Sequence, residues 1–332
     1  MNKGVCGLLV VLSIVIVDRT SAHPGDGLVV VDDQNFYFVA TDPIQGTSSH
    51  HAAIWRWSEE KGLELVYRSP HGSSNVHIEH GLDGHIYCSE RRYLGERPAR
   101  SGDRPGDRDV YVTQLGRLEF DGTITWLMGP ERGRRPFGRA AFLVDRDGNV
   151  LYGDAHNRLM MRSSEGRVEP LEVDAHFDDI RLMAWGPEDE IYILDGLTIK
   201  VVASDRSVRT LDLHHPSMET NFKYGSGTDG TIIFDMIVDP RRQIFLADWG
   251  RQHVLRISSQ GVVSLLYNGP GNYGPEGLAF RDGALAVFES LRPRANQGVV
   301  PRLLTLGPNG EPSLVYDHFE KPRFQLSGTT RN

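Results

Sequence analysis

The stretch Met236–Gly250 reads MIVDPRRQIFLADWG and contains a pattern that recurs along the chain. An apolar run precedes a polar turn that contains Asp239, and a second apolar run ends in the acid Asp248. Short apolar runs rich in β-branched and aromatic residues on either side of a turn predict two antiparallel strands. The stretch therefore predicts a β-hairpin whose second strand ends in an acid.

Five further stretches share this order of strand, polar turn and acid-terminated strand. They are Val29–Asp42, Ile78–Glu90, Phe142–Asp154, Met183–Asp195 and Leu278–Glu289. Most copies are followed by a second pair of β-like runs, such as Val254–Ile257 and Val262–Tyr267, so each unit supplies about four strands. Periods of about 40 to 65 residues with four short strands apiece are typical of β-propeller blades.

We therefore predict an all-β fold, a six-bladed β-propeller with four-stranded blades around a central channel. It would occupy residues 23–332 as a single domain. The predicted units run over about residues 24–74, 75–137, 138–179, 180–233, 234–274 and 275–324. The second unit is the longest because it contains Tyr93–Asp109, YLGERPARSGDRPGDRD, whose composition predicts an inserted loop.

The first residues have the features of a secretory signal. Lys3 precedes an apolar run over residues 5–17, and the small residues Ser21 and Ala22 follow it. We predict a signal peptide over residues 1–22 and a secreted or periplasmic protein. Because a membrane-spanning helix needs about 20 apolar residues, we expect no membrane association after cleavage. The formal net charge of −8 disfavours nucleic acid as a partner.

A single cysteine, Cys88, would remain in the mature chain, so no intrachain disulfide is expected. It lies in a predicted strand and is interpreted as a small buried hydrophobe rather than a nucleophile. The sequence contains no Gly-x-Ser-x-Gly, no CxxC pair, no GxxxxGK and no GxGxxG before a helix. Serine-hydrolase, zinc-ribbon and nucleotide-binding functions lose support accordingly.

The repeats resemble a known family. MIVDPRRQIFLADWGRQHVLRIS, residues 236–258, resembles an NHL repeat, and GPEGLAFRDGALAVFES, residues 274–290, resembles the start of the next one. Nearly the whole mature chain is similar to six-bladed propellers that include gluconolactonase and senescence marker protein, the strictosidine-synthase-like proteins, and the lyase that cleaves peptidyl-hydroxyglycines. This resemblance is specific for the fold and leaves the chemistry open.

Candidate site residues follow from the predicted architecture. The innermost strands of a propeller line its channel, so residues at their starts converge at one mouth. We predict His77 and Glu79 as residues that transfer protons, and Arg139 and Arg181 as further catalytic residues that clamp substrate or pair with channel acids. On a strand His77 and Glu79 share one face, whereas His80 points to the other.

Inward carboxylates from several blades suit a hard cation such as calcium. We predict Asp179, Asp235 and Glu276 as its ligands, with calcium favoured over zinc. In the gluconolactonase-like family an acid, an asparagine and an aspartate hold a divalent ion, and the resemblance implies Glu276 and Asp235 as the nearest matches. The glycine of the family's Asp-Gly-Met stretch is missing at Asp235-Met236, and no asparagine ligand is found.

The resulting hypothesis is a metal-dependent, lactonase-like hydrolase or lyase that acts on a small polar or anionic ligand. Two alternatives remain open at this point. One is a non-catalytic propeller that binds a protein or ligand through the arginine-rich insertion. The other is a peptidyl-hydroxyglycine lyase, although its full histidine set is not found. The acids that end the six copies are too regularly placed to be catalytic, and we expect them to bind turn amides.

Overall fold

A computed structural model describes residues 25–31, 34–43, 50–71, 74–96, 109–133, 141–196, 198–213, 232–291 and 301–317. The described residues are almost entirely in strands and tight turns, with one short 3₁₀ helix at Pro187–Asp189. Among them, no helix is long and apolar enough to cross a membrane. The predicted signal peptide, residues 1–22, lies outside the described residues.

Each blade has four antiparallel strands from a continuous stretch of chain, in sequence order, and the sheet of blade 2 gains a fifth strand from the start of the described chain. The strands of the first three blades are β2 (Leu28–Val31), β3 (Asn35–Pro43), β4 (His50–Ser58) and β5 (Gly62–Arg68) in blade 1, β6 (Ser74–His80), β7 (Ile86–Glu96), β8 (Asp109–Leu118) and β9 (Ile124–Gly133) in blade 2, and β10 (Phe142–Val144), β11 (Val150–Gly153), β12 (Leu159–Arg162) and β13 (Val168–Pro170) in blade 3.

The remaining three blades repeat the same arrangement. Their strands are β14 (Ile180–Trp185), β15 (Ile191–Asp195), β16 (Thr198–Val202) and β17 (Val208–Leu211) in blade 4, β18 (Ile233–Val238), β19 (Ile244–Asp248), β20 (His253–Ile257) and β21 (Val263–Asn268) in blade 5, and β22 (Tyr273–Arg281), β23 (Ala284–Leu291), β24 (Pro301–Leu306) and β25 (Pro312–Asp317) in blade 6. Six four-stranded antiparallel sheets in a ring make the protein a six-bladed β-propeller, which confirms the predicted fold class.

The core consists of six apolar clusters, and each of them joins two neighbouring blades. The alternation of side chains along a strand explains this arrangement, because successive residues point to opposite faces of the sheet. Cys88 belongs to the cluster between blades 1 and 2 and is fully buried. The burial predicted for Cys88 is thus confirmed, and this burial raises the pKa of its thiol.

Blade 1 closes the ring against blade 6 and blade 2. The rings of Phe38 and Phe288 stack with their centroids 4.8 Å apart across the interface between the first and last blades. The short strand β1 (Gly25–Asp26) adds to blade 2 as a parallel neighbour of β6. Between β1 and β2, Gly27 adopts a φ of +109°, and a Cβ at this position would collide with the carbonyl oxygen of Ile78. Only glycine fits this junction without strain.

The hairpin predicted for each copy is present, but the first copy is offset. In blade 5, Ala247 pairs with Val254, which pairs with Tyr267. In blade 1, the equivalent pairs join Val39 to Ile54 and Ile54 to Tyr67. The residue of blade 1 that corresponds to Asp248 is therefore Ala40, and not Asp42 as the sequence pattern suggested. Ala40 packs in the apolar cluster between blades 1 and 6.

The predicted insertion loop is partly wrong at both ends. Residues 93–96 continue β7 and residue 109 begins β8, and Tyr93 pairs with Tyr111 while Glu96 pairs with Asp109. The strands β7 and β8 therefore stay paired as far as Glu96 and Asp109, with a register shift between Tyr93 and Gly95, because backbone hydrogen bonding overrides the turn-like composition. Residues 97–108 of the predicted loop lie outside the described residues.

Candidate functional site

The candidate residues lie at the face of the ring where the inner strands begin, which we call the mouth face. The inner strands of blades 2, 4, 5 and 6 start here, and the second strands of the same blades end here. Within blade 2, His77 lies in the middle of β6 opposite Ser89 on β7, and Glu79 lies two residues further along β6. The functional role of these residues stays a prediction.

His77 and Glu79 form a pair, as their shared strand face predicted. His77 Nε2 lies 3.1 Å from Glu79 Oε1, within hydrogen-bonding distance. The imidazole is 5% exposed and meets the edge of the Phe142 ring in blade 3 at a centroid distance of 5.6 Å. Glu79 is half-buried, and His80 is exposed on the other side of the strand. A buried imidazole oriented by a partly exposed carboxylate is an arrangement suited to proton transfer.

Asp235 joins the inner strands of blades 5 and 6. Its Oδ1 accepts a hydrogen bond of 2.7 Å from the N–H of Met236, and its Oδ2 accepts one of 2.6 Å from the N–H of Leu278. The residue is 5% exposed. Two buried backbone donors on one carboxylate make Asp235 a bridge between blades as well as a polar group at the mouth face.

Glu276 and Asp179 also have protein donors. The hydroxyl of Ser290 donates to Glu276 Oε1, and both residues are buried. Arg181 Nε donates to Asp179 Oδ2 at 2.7 Å, so Arg181 pairs with an acid of its own blade. Arg139 lies outside the described residues. Hydrogen bonds thus join Asp179, Asp235 and Glu276 to different partners.

The predicted calcium ligands do not form a recognisable ion site in the part of the chain that the structure describes. Within it, no group of three or more histidine, cysteine, aspartate or glutamate side chains is placed to hold a metal. Asp179, Asp235 and Glu276 direct carboxylate oxygens at Arg181, at two backbone amides and at Ser290 respectively. A calcium ion takes six to eight oxygen ligands, and calcium binding by Asp179, Asp235 and Glu276 stays a prediction.

The acids that end the second strands have the predicted structural role in three blades. Asp154 Oδ1 accepts from the N–H groups of His156 and Arg158 at 2.8 and 2.9 Å. In blades 4 and 5, the carboxylates of Asp195 and Asp248 instead accept hydrogen bonds from backbone N–H groups just before the inner strand. Their donors are Asp178 and Asp179 for Asp195, at 2.9 and 2.6 Å, and Ile232 for Asp248, at 3.1 Å.

Blades 2 and 6 replace these amides by side-chain donors, which the sequence did not predict. Glu90 accepts from Ser69, Tyr67 and Gln114, and the tyrosine comes from the last strand of blade 1. Glu289 accepts from Tyr267, in the last strand of blade 5, and from Arg302. The sequence signal for the side-chain donors is glutamate in place of aspartate at this position. The longer glutamate side chain extends beyond the turn amides to donors on other strands.

Burial controls the ionisation of these acids and phenols. It raises the pKa of Asp248 to about 6, although hydrogen bonds from Ile232 and Arg251 act in the opposite direction. Burial also raises the pKa of Glu289 against the attraction of Arg302. Burial, and then the nearby glutamate, raise the pKa of Tyr67 and of Tyr267, so both phenols stay protonated and donate.

The fold and the mouth face define a six-bladed propeller with paired polar residues at one end of its channel. No protein-family model and no curated protein matches the sequence. Among solved structures, the chain is similar to an auxiliary nutrient binding protein from Bacteroides thetaiotaomicron, with a TM-score of 0.53 and 12% identity over 80% of this chain and 67% of that chain. It is also similar to virginiamycin B lyase from Staphylococcus aureus, with a TM-score of 0.50 and 12% identity over 89% of this chain and 84% of that one.

A gluconolactonase from Xanthomonas campestris is a further similar structure, with a TM-score of 0.48 and 13% identity over 85% of this chain and 95% of that chain. At these identities the likeness concerns the fold alone, because one fold serves many functions.

Proposed function

We propose that the protein is an enzyme that binds a small polar or anionic substrate at the mouth face and acts as a lactonase-like hydrolase or a lyase. The pair formed by His77 and Glu79 carries this proposal. A general base must be oriented and held in the correct protonation state, and a neighbouring carboxylate provides both for an imidazole.

In this proposal His77 accepts a proton from water or from substrate, and Glu79 stabilises the imidazolium that forms. The edge-on contact between His77 and Phe142 keeps bulk water from one side of the imidazole, which strengthens its electrostatic interaction with Glu79. Arg181 contributes positive charge near an anionic substrate, partly offset by Asp179. Arg139 is proposed to contribute positive charge near the substrate in the same way.

A divalent ion, calcium rather than zinc, at Asp179, Asp235 and Glu276 stays a prediction, and no step above passes through it. A bound ion would polarise a substrate carbonyl. Inductively coupled plasma mass spectrometry of the purified protein tests the prediction. About one calcium per chain would support it, and a metal-free protein with full activity would contradict it.

The test of the enzymatic proposal is a pH-stat assay of lactone hydrolysis over a panel of five- and six-membered lactones. We expect His77→Ala to lower kcat/KM by about 10² or more and Glu79→Gln by about 10, the range of a general base and of its orienting partner. His80→Ala is the matched control, because His80 lies on the same strand, is exposed and points away from the pair. Wild-type rates equal to those of buffer, or an unaffected His77→Ala, would overturn the proposal.

A second candidate function, a non-catalytic binding propeller, is favoured by one observation. The hairpin β7–β8 stays paired as far as Glu96 and Asp109, and Arg91 lies over the ring of Tyr111 at 4.8 Å, with Tyr93 beside it. Such an extension enlarges the contact surface of the mouth face. A protein that binds a ligand or partner through this hairpin and shows no turnover in the lactone assay would support the binding function. No observation favours the peptidyl-hydroxyglycine lyase.

A further inference from the structure

We infer a binding subsite for a small carboxylate anion on the side of blade 2 that faces blade 3, formed by the hydroxyls of Ser89 and Thr113 with Arg91 beside them. It deepens the proposed function and rests on it in part, because His77 borders the same surface. We call these three residues the hydroxyl subsite.

Strand alternation places these side chains on one face of the sheet. His77 lies opposite Ser89, and Arg91 lies opposite Thr113. The contact of His77 with Phe142 in blade 3 shows that this face points to blade 3, and Arg91 lies over the ring of Tyr111 within blade 2.

The other face of the same strands points to blade 1, where Glu90 bonds Tyr67 and Gln114. The polar groups of blade 2 are therefore divided between two surfaces. On the surface towards blade 1 they form a closed hydrogen-bonded network.

The two hydroxyls of the subsite are buried without hydrogen-bond partners. Ser89 and Thr113 are each 2% exposed, and neither Ser89 Oγ nor Thr113 Oγ1 has a partner among the residues that the structure describes. Two other buried serine hydroxyls at the mouth face are satisfied, since Ser69 donates to Glu90 and Ser290 to Glu276. A buried hydroxyl without a hydrogen-bond partner destabilises the protein. Two such hydroxyls on one strand face therefore indicate a ligand that accepts their hydrogen bonds.

The chemistry of the subsite favours an anion with two acceptor oxygens. Each hydroxyl has one proton to donate, and the two residues are diagonal neighbours on adjacent strands, with Cβ atoms about 7 Å apart. A carboxylate accepts two such bonds at once, and Arg91 adds favourable charge. The acid that shares this face on β6, Glu79, is already bonded to His77. The next cross-strand pair on this face is Tyr93 and Tyr111, whose ring centroids lie 5.6 Å apart.

Isothermal titration calorimetry with glycolate, and with neutral glycolamide as its matched control, tests the subsite. We expect wild-type protein to bind glycolate at least about 10-fold more tightly than glycolamide. Ser89→Ala and Thr113→Val should each weaken glycolate binding about 10-fold, which is the effect of losing one hydrogen bond to a charged group.

Thermal unfolding without ligand gives an independent readout. Removal of a hydroxyl that has no partner should leave Tm unchanged or raise it by about 2 °C. Ser69→Ala is the control, since its buried hydroxyl donates to Glu90, and it should lower Tm and leave glycolate affinity unchanged. A fall in Tm for both subsite variants would show that the hydroxyls have protein partners and would overturn the subsite.

Unchanged glycolate affinity in Ser89→Ala and Thr113→Val, or no glycolate binding to the wild type, would also overturn it. An assay of lactone hydrolysis in the same variants distinguishes failure of the subsite from failure of the proposed enzymatic function. Glycolate binding through the two hydroxyls without lactone turnover would retain the subsite and refute the enzyme. Turnover that depends on His77, without glycolate binding, would retain the enzyme and refute the subsite.

Discussion

The acid that ends the second strand accepts hydrogen bonds from different donors in different blades. Asp195 and Asp248 accept hydrogen bonds from the backbone N–H groups before an inner strand. Glu90 and Glu289 instead accept from the tyrosine hydroxyl of the preceding blade. In each case the carboxylate satisfies donors that burial between blades would otherwise leave unpaired. The position is therefore structural, and Ala40 in blade 1 shows that apolar packing can replace it.

Asp248 makes stability depend on pH. The residue is fully buried, and its Oδ2 has no hydrogen-bond partner among the described residues. Its pKa in the folded protein, about 6, lies above its ordinary value of 3.8, so the native state binds the proton more tightly than the unfolded state. The contribution of Asp248 to stability therefore falls as pH rises from about 4 to 6, by about 3 kcal/mol in total.

Asp248→Asn should remove this dependence, because the amide does not titrate and its oxygen still accepts from Ile232 and Arg251. Urea unfolding at pH 4, 5, 6 and 7 measures the effect. The free energy of unfolding of Asp248→Asn, relative to wild type, should increase with pH over this window. Parallel pH profiles for the two proteins would contradict the prediction.

Asp235 is expected to affect stability as well as any site chemistry. Asp235→Ala removes the acceptor of two buried amides, those of Met236 and Leu278, and should lower the free energy of unfolding by about 2 to 4 kcal/mol. Asp235→Asn keeps one acceptor oxygen and should cost about half as much. Chemical denaturation measures both variants, and an Asp235→Ala protein as stable as wild type would refute the bridging role. A loss of bound ion or of activity in Asp235→Ala must therefore be compared with that in Asp235→Asn, so that an effect on the site is separated from loss of stability.

At the scale of elements, the last turn of each blade follows one design. The hairpins between the third and fourth strands contain a residue in the left-handed region in every blade. These residues are Gly62, Gly122, Gly166, Arg206, Gly261 and Gly310. In blades 2, 5 and 6 a Cβ at this glycine would collide with a backbone carbonyl of the preceding blade, so the turn also sets how closely two blades pack.

Arg206 is the exception, and its φ of +68° is strained for a residue with a Cβ. We expect Arg206→Gly to raise the free energy of unfolding by about 0.5 to 1 kcal/mol, since relief of strain exceeds the added entropy of the unfolded chain. Arg209→Gly, at an exposed position in β17, is the matched control and should lower it by about 1 kcal/mol. Urea denaturation measures both, and a destabilised Arg206→Gly would contradict the prediction.

The extended hairpin β7–β8 shows where composition misleads. Arginine, glycine and proline in YLGERPARSGDRPGDRD predicted a loop from residue 93, yet Tyr93 and Tyr111 are paired strand residues whose rings lie 5.6 Å apart. Cross-strand aromatic pairs of this kind stabilise a ladder by about 0.2 to 1 kcal/mol. The partner is some 18 residues distant along the chain, so a local pattern does not predict it.

For the whole molecule, the six core clusters imply that the blades unfold together. Each cluster contains residues from two blades, so no blade has a complete core of its own. The closing interface between blades 1 and 6 has no covalent link among the described residues, and it depends on the stacking of Phe38 and Phe288 and on the apolar side chains around them. Loss of packing there should destabilise the entire ring.

Phe288→Ala should lower the free energy of unfolding by about 3 to 5 kcal/mol while a single transition is retained. Phe120→Ala is the control, because Phe120 is 86% exposed at a hairpin tip and its removal should change stability by less than about 0.5 kcal/mol. Differential scanning calorimetry distinguishes the outcomes. Two separate transitions in Phe288→Ala, with blades 2 to 5 still folded, would contradict the cooperative ring.

The repeat made the fold predictable. Hydrophobic alternation and turn residues recur six times, and the acid that ends the second strand recurs in five blades. This periodicity predicted both the blade count and the hairpins, with an offset in blade 1. The site was less predictable. The sequence correctly placed His77 and Glu79 on one strand face, but it did not predict that Asp235 accepts the amide of Leu278 or that Ser290 donates to Glu276, since these partners lie on other strands.

By itself, the sequence determined the architecture, because strand alternation and turn chemistry are local properties that each repeat carries. The tertiary structure alone decided which polar groups are paired and which are not. Ser69 and Ser89 are both buried serines in or beside blade 2, yet Ser69 donates to Glu90 whereas the hydroxyl of Ser89 has no partner among the described residues. Their difference arises from the direction in which each side chain leaves its backbone and from the blade that it meets, and both are fixed only when the ring closes.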